Sequence, residues 1–569
     1  MFMPRAAVTG AAGVRARLRF APRLRPLSGP TRARPTARPT PTDPMSTNPN
    51  PMNGAESLVR TLVGSGVEIC FANPGTSEMH FVAALDKEPG MRCVLGLFEG
   101  VVSGAADGYY RMADKPAATL LHLGPGLANA SANLHNAKKA GSGIVNIVGE
   151  HATHHLEHDA PLTADVEGIA RPMSHWVRTS RSSMSVAGDG AQAVAQAKAP
   201  PGRIATLVLP ADTAWGPAEG AAPALPVAPR REVSSESIDA AAQALQRGRP
   251  AALLLGGIAV REGALLLAGR IAAKTGCALL LESGVPRLQR GAGRVRAQRI
   301  PYVVDAALTK LQGYRDLVLV GAKVPVAFFA YPGKPSVLLP TDCAVTRLAA
   351  LDEDIVGALE ALADRLGARH LAPANVATLE RPRLQDLPSG RITAEGIAAV
   401  LGALLPENAI VVDESISVGR NFGAATANAP PHDWLNIMGG SIGFGPPAAT
   451  GAALAAPGRP VILLEGDGSA MYTLQALWTC AREGLNVKTL ILANRSYQIL
   501  RGEFASVGAG TPGQHATNML NIDRPELDWV ALAKGHGVEA VRVDDLAALV
   551  SAFSRALASP GPRLIELVL

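Results

Sequence analysis

Aromatic residues, cysteines and charges are all scarce in this chain of 569 residues. Aromatic residues make up 4% and charged residues 18%, against 47% hydrophobic residues. This balance excludes a disordered chain or a coiled coil and favours a well-packed globular protein. The five cysteines are scattered without paired or metal-type spacing, so we expect reduced thiols and a cytoplasmic location. The length exceeds what one hydrophobic core supports, so about two to four domains are expected.

Long apolar runs suited to a membrane are also lacking. The longest uncharged stretch runs from Trp434 to Gly458, but it contains Asn436, the adjacent Pro446 and Pro447, and many glycines. A lipid-facing helix does not tolerate that composition. We interpret the stretch as a loop followed by a buried helix, and we expect no membrane partner.

Lysines and acids are nearly absent from residues 1–44. This segment has nine arginines and one acid, Asp43, so it holds more positive charge than the whole chain, whose net charge is +6. The basic charge therefore belongs to a tail, and no nucleic-acid partner is expected. The Arg, Pro and Thr bias predicts that residues 1–50 are disordered. An organellar transit peptide has the same look; we favour a start of translation at Met45 or Met52, because no amphipathic stripe is visible.

Short apolar runs alternate with Ala- and Gly-rich segments along the rest of the chain. Runs of this kind are typical of strands buried on both faces of a parallel sheet. Two Pro-rich stretches, at 216–231 and 371–390, separate three such blocks. The sequence thus predicts an α/β fold of three consecutive doubly wound parallel-sheet domains, at residues 53–215, 235–370 and 391–569. The predicted strands include residues 67–71, 117–121, 144–148, 251–255, 317–320, 461–464, 489–493 and 563–569.

A Gly-Asp-Gly turn follows one predicted strand of the third block, and an asparagine follows the next strand. Asp467 lies between Gly466 and Gly468, and Asn494 follows after an intervening helical pattern. Two parallel strands would present these oxygens at neighbouring carboxyl ends, where α/β sheets bind ligands. Such ligands suit Mg²⁺, and the glycines allow a diphosphate to approach closely. An ordinary Asp-Gly turn with an Asn cap is the alternative.

An acid precedes a helical pattern of small residues in the first block. Glu99 has the apolar neighbours Leu97, Phe98, Val101 and Val102. A carboxyl among such neighbours is expected to be largely buried, with a raised pKa that suits proton transfer. The alternative is an acid placed at a helix start to match the helix dipole.

Five stretches in order resemble the thiamine diphosphate (ThDP)-dependent decarboxylase and acetolactate synthase superfamily over about residues 53–569. The nearest resemblance is to acetolactate-synthase-like large subunits and benzoylformate decarboxylase. It implies pyrimidine-binding, central and diphosphate-binding domains in that order. It also implies a homodimer or homotetramer in which ThDP bridges the first domain of one subunit and the third of another. The stretches are residues 72–78, 96–111, 122–129, 439–447 and 466–494.

The resemblance implies a metal site and a cofactor site in the third domain. Asp467, Asn494 and the backbone carbonyl of Ser496 would hold Mg²⁺. The Gly440 carbonyl would accept from the cofactor's amino group, and Ile442 would force the cofactor into a bent shape, unless Ile442 is a plain core residue. The remaining cofactor-binding positions are Ser415 and Ser417, for which helix capping is the alternative, and Gly466, Gly468 and Ser469.

Glu99, His122 and Thr76 are the catalytic side chains that the resemblance implies. Glu99 would hydrogen-bond the aminopyrimidine ring and so activate the cofactor. His122 stands where benzoylformate decarboxylase has a histidine and the synthases have a small or hydroxyl residue. It would protonate or orient the intermediates, the alternative being a buried structural histidine. Thr76 stands where that decarboxylase has a serine touching the substrate carboxylate.

The sequence departs from the family pattern in the central domain. Residues 319–331 lack the stretches through which acetolactate synthases bind FAD, so FAD is doubtful. The second histidine of benzoylformate decarboxylase has only Arg294, Arg296 and Arg299 in its vicinity; these either meet an anionic substrate or are surface charge. Residues 150–159 hold four histidines and three acids, which we interpret as substrate-side polarity in preference to a zinc site.

The resemblance implies Mg²⁺- and ThDP-dependent decarboxylation of a small 2-oxo acid with carboligation to a second carbonyl compound. His122 supports an alternative, simple decarboxylation, because it adds a proton donor that the synthases lack. A non-catalytic ThDP-binding paralogue is the alternative from another class, and the intact Glu99, Asp467 and Asn494 argue against it. A nicotinamide oxidoreductase has no support, since no strand is followed by Gly-x-Gly-x-x-Gly and a ribose-binding acid.

Overall fold

Three consecutive sheets, each with flanking helices, make up residues 52–569, the part of the chain that this computed structural model describes. These residues belong to one compact unit. The predicted disorder of residues 1–50 lies outside the described residues. The sheets are predominantly parallel, which confirms the predicted α/β class. We refer to each sheet with its helices as the first, second and third layer; the predicted domain boundaries stay predictions.

The first layer has a six-stranded parallel sheet in the order β2-β1-β3-β4-β6-β5. The strands predicted from the first block are all present, and all three are buried along their full length as expected for parallel strands. The strands are β1 (Ile69–Ala72), β2 (Arg92–Leu95), β3 (Ala117–Leu121), β4 (Ile144–Glu150), β5 (Trp176–Thr179) and β6 (Ile204–Pro210). The helices are α1 (Gly54–Gly64), α2 (Met79–Leu85), α3 (Glu99–Ala113), α4 (Leu123–Ala140), α5 (Val166–Ala170), α6 (Val186–Lys198) and α7 (Ala211–Trp215).

The second layer has a five-stranded parallel sheet in the order β10-β8-β7-β11-β12. Its fully buried central strands β7 and β11 are two of the predicted apolar runs. The strands of this part of the chain are β7 (Ala251–Leu255), β8 (Ala278–Leu281), β9 (Leu288–Arg290), β10 (Gln298–Arg299), β11 (Asp316–Val320) and β12 (Ala344–Ala349). The helices are α8 (Ser235–Gln246), α9 (Glu262–Thr275), α10 (Val304–Leu311) and α11 (Ile355–Arg365).

The third layer has a seven-stranded sheet in the order β17-β18-β16-β15-β13-β14-β9. The strands are β13 (Ile410–Glu414), β14 (His432–Asn436), β15 (Val461–Gly466), β16 (Val487–Ala493), β17 (Glu539–Val543) and β18 (Arg563–Val568). The helices are α12 (Ala394–Leu404), α13 (Phe422–Ala425), α14 (Gly445–Ala455), α15 (Asp467–Ala470), α16 (Ala476–Arg482), α17 (Gln498–Ser506), α18 (Gln514–Leu520), α19 (Trp529–Gly535) and α20 (Leu546–Ala558).

One strand departs from the predicted parallel arrangement. β9 leaves the second layer and pairs antiparallel with β14 at the edge of the third sheet. The Arg287 guanidinium donates to buried Asp433 at 2.6 Å, and Arg290 lies over the Trp434 ring at 5.0 Å. These contacts hold β9 at the edge of the third sheet, and they join side chains that are far apart in the sequence.

Helices α3 and α14 pack the first layer directly against the third. The glycines permit this approach: a Cβ on Gly108 would lie 2.1 Å from the Ala448 carbonyl oxygen, and one on Gly451 would lie 1.9 Å from that of Ala105. Close packing of this kind fixes the two helices that begin at Glu99 and Gly445 relative to each other. Within residues 52–569, no helix is both long and apolar enough to cross a bilayer.

Candidate active site

Asp467 and Asn494 follow two adjacent parallel strands, as the sequence predicted. β15 and β16 pair along their length, Asp467 comes directly after β15, and Asn494 comes directly after β16. The Asp467 carboxylate accepts hydrogen bonds from the backbone N–H groups of Gly468 (2.9 Å) and Arg495 (2.6 Å). The two loops are therefore joined through this carboxylate at the carboxyl edge of the sheet.

The oxygen atoms at this edge fit a hard divalent cation. Asp467 is only 4% exposed, and burial raises its pKa to about 6 although backbone hydrogen bonds and the Arg495 charge act in the opposite direction. The Asn494 side-chain oxygen accepts from the Ser496 N–H at 3.1 Å. Carboxylate, amide and carbonyl oxygens are the ligands that Mg²⁺ takes. Asn494 and Ser496 also line an open polar cleft of about 620 Å³, beside Arg495 and Arg501.

No group of three or more His, Cys, Asp or Glu side chains in the described part of the chain is arranged to hold a metal. The histidines of residues 150–159 lie at the end of β4 and in a short 3-10 helix, Thr153–His158, that has no buried residue. Their rings neighbour one another, at 5.5 Å between the centroids of His151 and His155. A metal at the Asp467 edge would therefore depend on amide and backbone oxygens.

The turn between β14 and α14, residues 437–444, is held from the first layer by two asparagines. Asn136 donates to the Ser441 carbonyl (2.8 Å) and accepts from the N–H groups of Gly439 (3.1 Å) and Ser441 (3.2 Å). Asn133 donates to the carbonyls of Gly100 (2.9 Å) and Gly443 (3.1 Å). One amide thus joins the start of the Glu99 helix to the turn that carries Gly440 and Ile442. The sequence analysis missed both asparagines.

A buried glutamate of the third layer also holds this turn. Glu414, at the end of β13, accepts from the N–H groups of Gly443 (2.9 Å) and Gly445 (2.5 Å). Glu465 is its register partner on β15, is fully buried, and has no hydrogen-bond partner for either oxygen among residues 52–569. Burial raises the pKa of Glu414 to about 7. Burial and the Glu414 charge raise the pKa of Glu465 well above its ordinary range.

Glu99 begins α3, as predicted, but it is less enclosed than expected. It is half-buried in the single chain. Asn129 donates to its Oε2 at 3.0 Å, and Oε1 lies 2.9 Å from the place that a Cβ on Gly126 would occupy. The absence of a side chain at Gly126 therefore leaves room for the carboxylate.

His122 is paired with an acid that the sequence analysis did not single out. Its Nδ1 lies 2.9 Å from Oε2 of Glu78, whose side chain is 1% exposed while the His122 side chain is 23% exposed. Glu78 also accepts from the Gly75 N–H at 2.6 Å. The pair therefore fixes the ring at the start of α4. Thr76 is exposed and begins the short 3-10 helix that ends at Glu78.

Ser415 and Ser417 lie in the loop after β13. Ser415 is buried and donates to Asp413 at 2.5 Å, while Ser417 is half-buried. Ser469 is buried in α15, and Ile442 is half-buried in the turn after β14.

Strained backbone lies next to three of the predicted site loops. Among residues 52–569, the only residues other than Gly, Asn and Asp with positive φ are Leu123 (48°), Ile416 (45°) and Arg495 (56°). Leu123 follows His122, Ile416 separates Ser415 from Ser417, and Arg495 separates Asn494 from Ser496. Left-handed backbone is costly for such side chains and concentrates at functional sites.

The arginines of the second layer are engaged within the protein. Arg294 donates to the backbone carbonyls of Arg290 and His432, and Arg299 donates to the Asn436 side chain at 2.7 Å. Burial lowers the pKa of Arg299. Arg294 and Arg299 are thus hydrogen-bonded within the protein and are not free surface charges; the third arginine, Arg296, is exposed.

The fold and the site together are those of a class of cofactor-dependent α/β enzymes. Comparison with known families then identifies the family. Residues 52–169 match the thiamine pyrophosphate enzyme N-terminal TPP binding domain, and residues 418–567 match the C-terminal TPP binding domain. The chain belongs to the thiamine pyrophosphate enzyme family. These two regions hold Glu99 and His122 in the first layer and Asp467 and Asn494 in the third.

Full-length relatives are similar over about nine-tenths of the chain. A Mycobacterium tuberculosis protein, "Putative acetolactate synthase large subunit IlvX", is 50% identical over 518 residues, which cover 91% of this chain and 99% of that protein. Benzoylformate decarboxylase of Pseudomonas aeruginosa is 30% identical over 524 residues (88% and 96%). The structure of a Rhodococcus jostii ThDP-dependent 4-hydroxybenzoylformate decarboxylase superimposes with a TM-score of 0.80 at 26% identity, covering 91% of this chain and 99% of that one.

Proposed function

We propose that this protein is a Mg²⁺- and ThDP-dependent enzyme that decarboxylates a 2-oxo acid and joins the product to a second carbonyl compound. The observation that carries the proposal is the placement of Asp467 and Asn494 at the ends of adjacent strands. The relative with 50% identity bears the name of a synthase subunit, which supports the carboligating form of the reaction. We also propose that the protein acts in the cytoplasm and that FAD is not required.

Mg²⁺ would be held by Asp467, Asn494 and the Ser496 carbonyl. Gly466, Gly468 and Ser469 would bind the diphosphate together with Ser415 and Ser417. The buried Asp467, whose pKa is raised by burial to about 6, fits a bound cation because a cation favours the ionised carboxylate. When bound, ThDP supplies a carbon nucleophile and an electron sink for decarboxylation.

Glu99 would hydrogen-bond a ring nitrogen of the cofactor's aminopyrimidine, with its carboxyl oriented by Asn129. Gly440 and Ile442 would contact the cofactor from the turn that Asn133, Asn136 and Glu414 hold in place. A homodimer or homotetramer, in which a second copy covers Glu99, accounts for the half-buried state of this carboxylate.

Simple decarboxylation is the second candidate, and the His122–Glu78 pair favours it. A histidine held at 2.9 Å by a buried carboxylate is oriented to transfer a proton, and proton delivery gives an aldehyde. Thr76, two residues before Glu78, would contact the substrate carboxylate. Two of the relatives bear the names of benzoylformate-type decarboxylases.

Product analysis separates the candidates. The full-length protein with Mg²⁺ and ThDP is given pyruvate or benzoylformate, with and without an acceptor aldehyde, and both CO₂ and products are measured. A hydroxyketone product supports carboligation, and release of the aldehyde alone supports decarboxylation. If ThDP binds and no 2-oxo acid in a broader panel releases CO₂, the protein is a non-catalytic paralogue and both candidates fail.

Glu99→Gln tests whether turnover uses the proposed hydrogen bond from Glu99 to the cofactor ring. We expect CO₂ release to be abolished while ThDP still binds, because the amide keeps the shape of the side chain but has no proton to transfer to the ring. Glu68→Gln is the matched control, since Glu68 is an exposed first-layer acid whose ion pair with Lys115 lies at the surface. Full activity of Glu99→Gln would contradict the proposal.

A further inference from the structure

Residues 322–333 of the second layer place two aromatic rings at the surface beside the cofactor turn. Phe328 and Phe329 are each 53% exposed, and their rings lie 4.9 Å apart between centroids with an interplanar angle of 73°. Tyr302 adds a third ring, 5.4 Å from Phe328. Exposed apolar side chains are common when they are scattered singly, but adjacent exposed rings form a contiguous apolar patch, and such patches mark binding surfaces.

The Phe328 ring reaches the turn that carries Gly440. A Cβ on Gly440 would lie 2.8 Å from the tip of the Phe328 ring, so the ring is in contact with the glycine itself. Gly440 has φ of +74°, a backbone conformation that favours glycine. This contact makes the aromatic surface continuous with the proposed cofactor site.

Backbone hydrogen bonds hold the segment that carries the two rings. The Ala327 N–H donates to the Ser336 carbonyl at 2.8 Å, and the Leu338 N–H donates to the Pro325 carbonyl at 3.0 Å. Tyr331 is buried and packs in the core beside Leu338. Tyr331 is thus buried, whereas Phe328 and Phe329 of the same segment are exposed.

We propose that Phe328 and Phe329 form the subsite for the side chain of the 2-oxo acid, and that they select uncharged, ring-sized side chains over the methyl group of pyruvate. The inference rests on the proposed function and adds the substrate class to it. Aromatic pairs bind a further planar ring by edge-to-face contact. No residue from Val324 to Ala330 is charged, so this segment itself offers no ionic partner to a charged side chain.

A hydrogen bond joins the third ring of the aromatic surface to α17. The Tyr302 hydroxyl donates to Glu503 of α17 at 3.1 Å. Burial and the Glu503 charge raise the pKa of Tyr302, so this hydroxyl stays protonated. The hydrogen bond holds the Tyr302 ring, the third ring of this aromatic surface, beside Phe328.

The test compares the substrate preferences of the wild type, Phe328→Ala, Phe329→Ala and Phe328→Tyr in the full-length protein with Mg²⁺ and ThDP. The value of kcat/KM is measured for benzoylformate and for pyruvate, together with the inhibition constants of benzoate and acetate. We expect each alanine variant to lose at least about tenfold in kcat/KM for benzoylformate and to change less than about threefold for pyruvate. Phe328→Tyr keeps the ring and should keep the preference.

Val345→Ala is the matched control, because Val345 is another exposed apolar residue of the second layer; it should leave both substrates unchanged. ThDP affinity and molar mass by light scattering are measured for every variant. An equal loss for both substrates, unchanged kinetics, or a change in subunit association without a change in preference would each overturn the inference and leave the proposed function standing. Absence of CO₂ from every 2-oxo acid with the wild type would overturn both.

Discussion

Asn136 of the first layer holds Ser441 of the third layer by both of its backbone polar groups. The amide Nδ2 donates to the Ser441 carbonyl at 2.8 Å, and Oδ1 accepts from the Ser441 N–H at 3.2 Å. Asn136 is fully buried, so water cannot replace these bonds. The shape of the turn that carries Gly440 and Ile442 thus depends on a side chain some 300 residues earlier in the sequence.

Asn136→Ala should therefore weaken cofactor binding. The substitution removes the three hydrogen bonds from Asn136 to the half-buried Gly439 and Ser441, at a cost on the order of 2 kcal/mol. We expect an increase of about tenfold or more in the dissociation constant of ThDP, measured by calorimetry with Mg²⁺ present. Ser131→Ala on the same helix is the control, because Ser131 bonds only to the Leu127 carbonyl of α4. Unchanged ThDP affinity in Asn136→Ala would show that the turn keeps its shape without the amide.

Gly126→Ala should displace the Glu99 carboxylate. The added Cβ would lie 2.9 Å from Oε1 of Glu99, a distance that forces the side chain to move. Because proton transfer is sensitive to shifts of this size, we expect kcat to fall about tenfold to hundredfold while ThDP still binds.

The control for that variant is Gly188→Ala in α6, where the added Cβ meets nothing within 4 Å. It should keep full activity and gain up to about 1 kcal/mol in stability, because alanine favours a helix over glycine. If Gly126→Ala is as active as Gly188→Ala, then Glu99 is not confined by this contact.

Glu78→Gln should lower turnover without weakening cofactor binding. The glutamine keeps the size of Glu78 but no longer provides a carboxylate to His122 Nδ1, so the ring loses the charge that orients its proton. We expect kcat to fall about tenfold to hundredfold, with an unchanged dissociation constant for ThDP. Glu56→Gln, which removes an ion pair with Lys87 in the same layer, should behave as wild type. A collapse of ThDP affinity in Glu78→Gln would assign Glu78 a structural role only.

The metal-free and metal-loaded forms should depend on pH in opposite directions. Burial raises the pKa of Asp467 from 3.8 to about 6, so in the metal-free protein its contribution to stability is fully present below pH 3.8 and is lost as pH rises through about 6. Mg²⁺ needs the carboxylate, so its affinity should fall about tenfold per pH unit below pH 6.

Thermal unfolding between about pH 5 and pH 7.5, with and without Mg²⁺ and ThDP, measures both effects. The stabilisation by the ligands should grow as pH rises through 6. Other buried acids titrate nearby, among them Glu414, so Asp467→Asn is the reference: it should remove the Asp467 contribution and most of the ligand stabilisation. Equal ligand stabilisation at pH 5 and pH 7.5 would contradict a metal at Asp467.

Much of the fold could be predicted because local sequence patterns determine the strands and helices. The apolar runs at 117–121, 251–255 and 461–464 are strands of the structure, since unbroken apolar runs of that length are buried on both faces of a parallel sheet. The start of α3 at Glu99 and the loop at Asp467 also follow from local sequence. The exchange of β9 into the third sheet was missed, because three residues carry no periodicity that names a partner strand.

The sequence by itself determined the α/β class, the strand-and-turn unit around Asp467 and the family resemblance, because each depends on residues close together in the chain. Only the tertiary structure decided which distant groups meet: Glu78 with His122, Asn136 with Ser441, and Phe328 with Gly440. Those contacts follow from the packing of whole layers through glycine-lined helices, and no local pattern encodes how two layers are placed against each other.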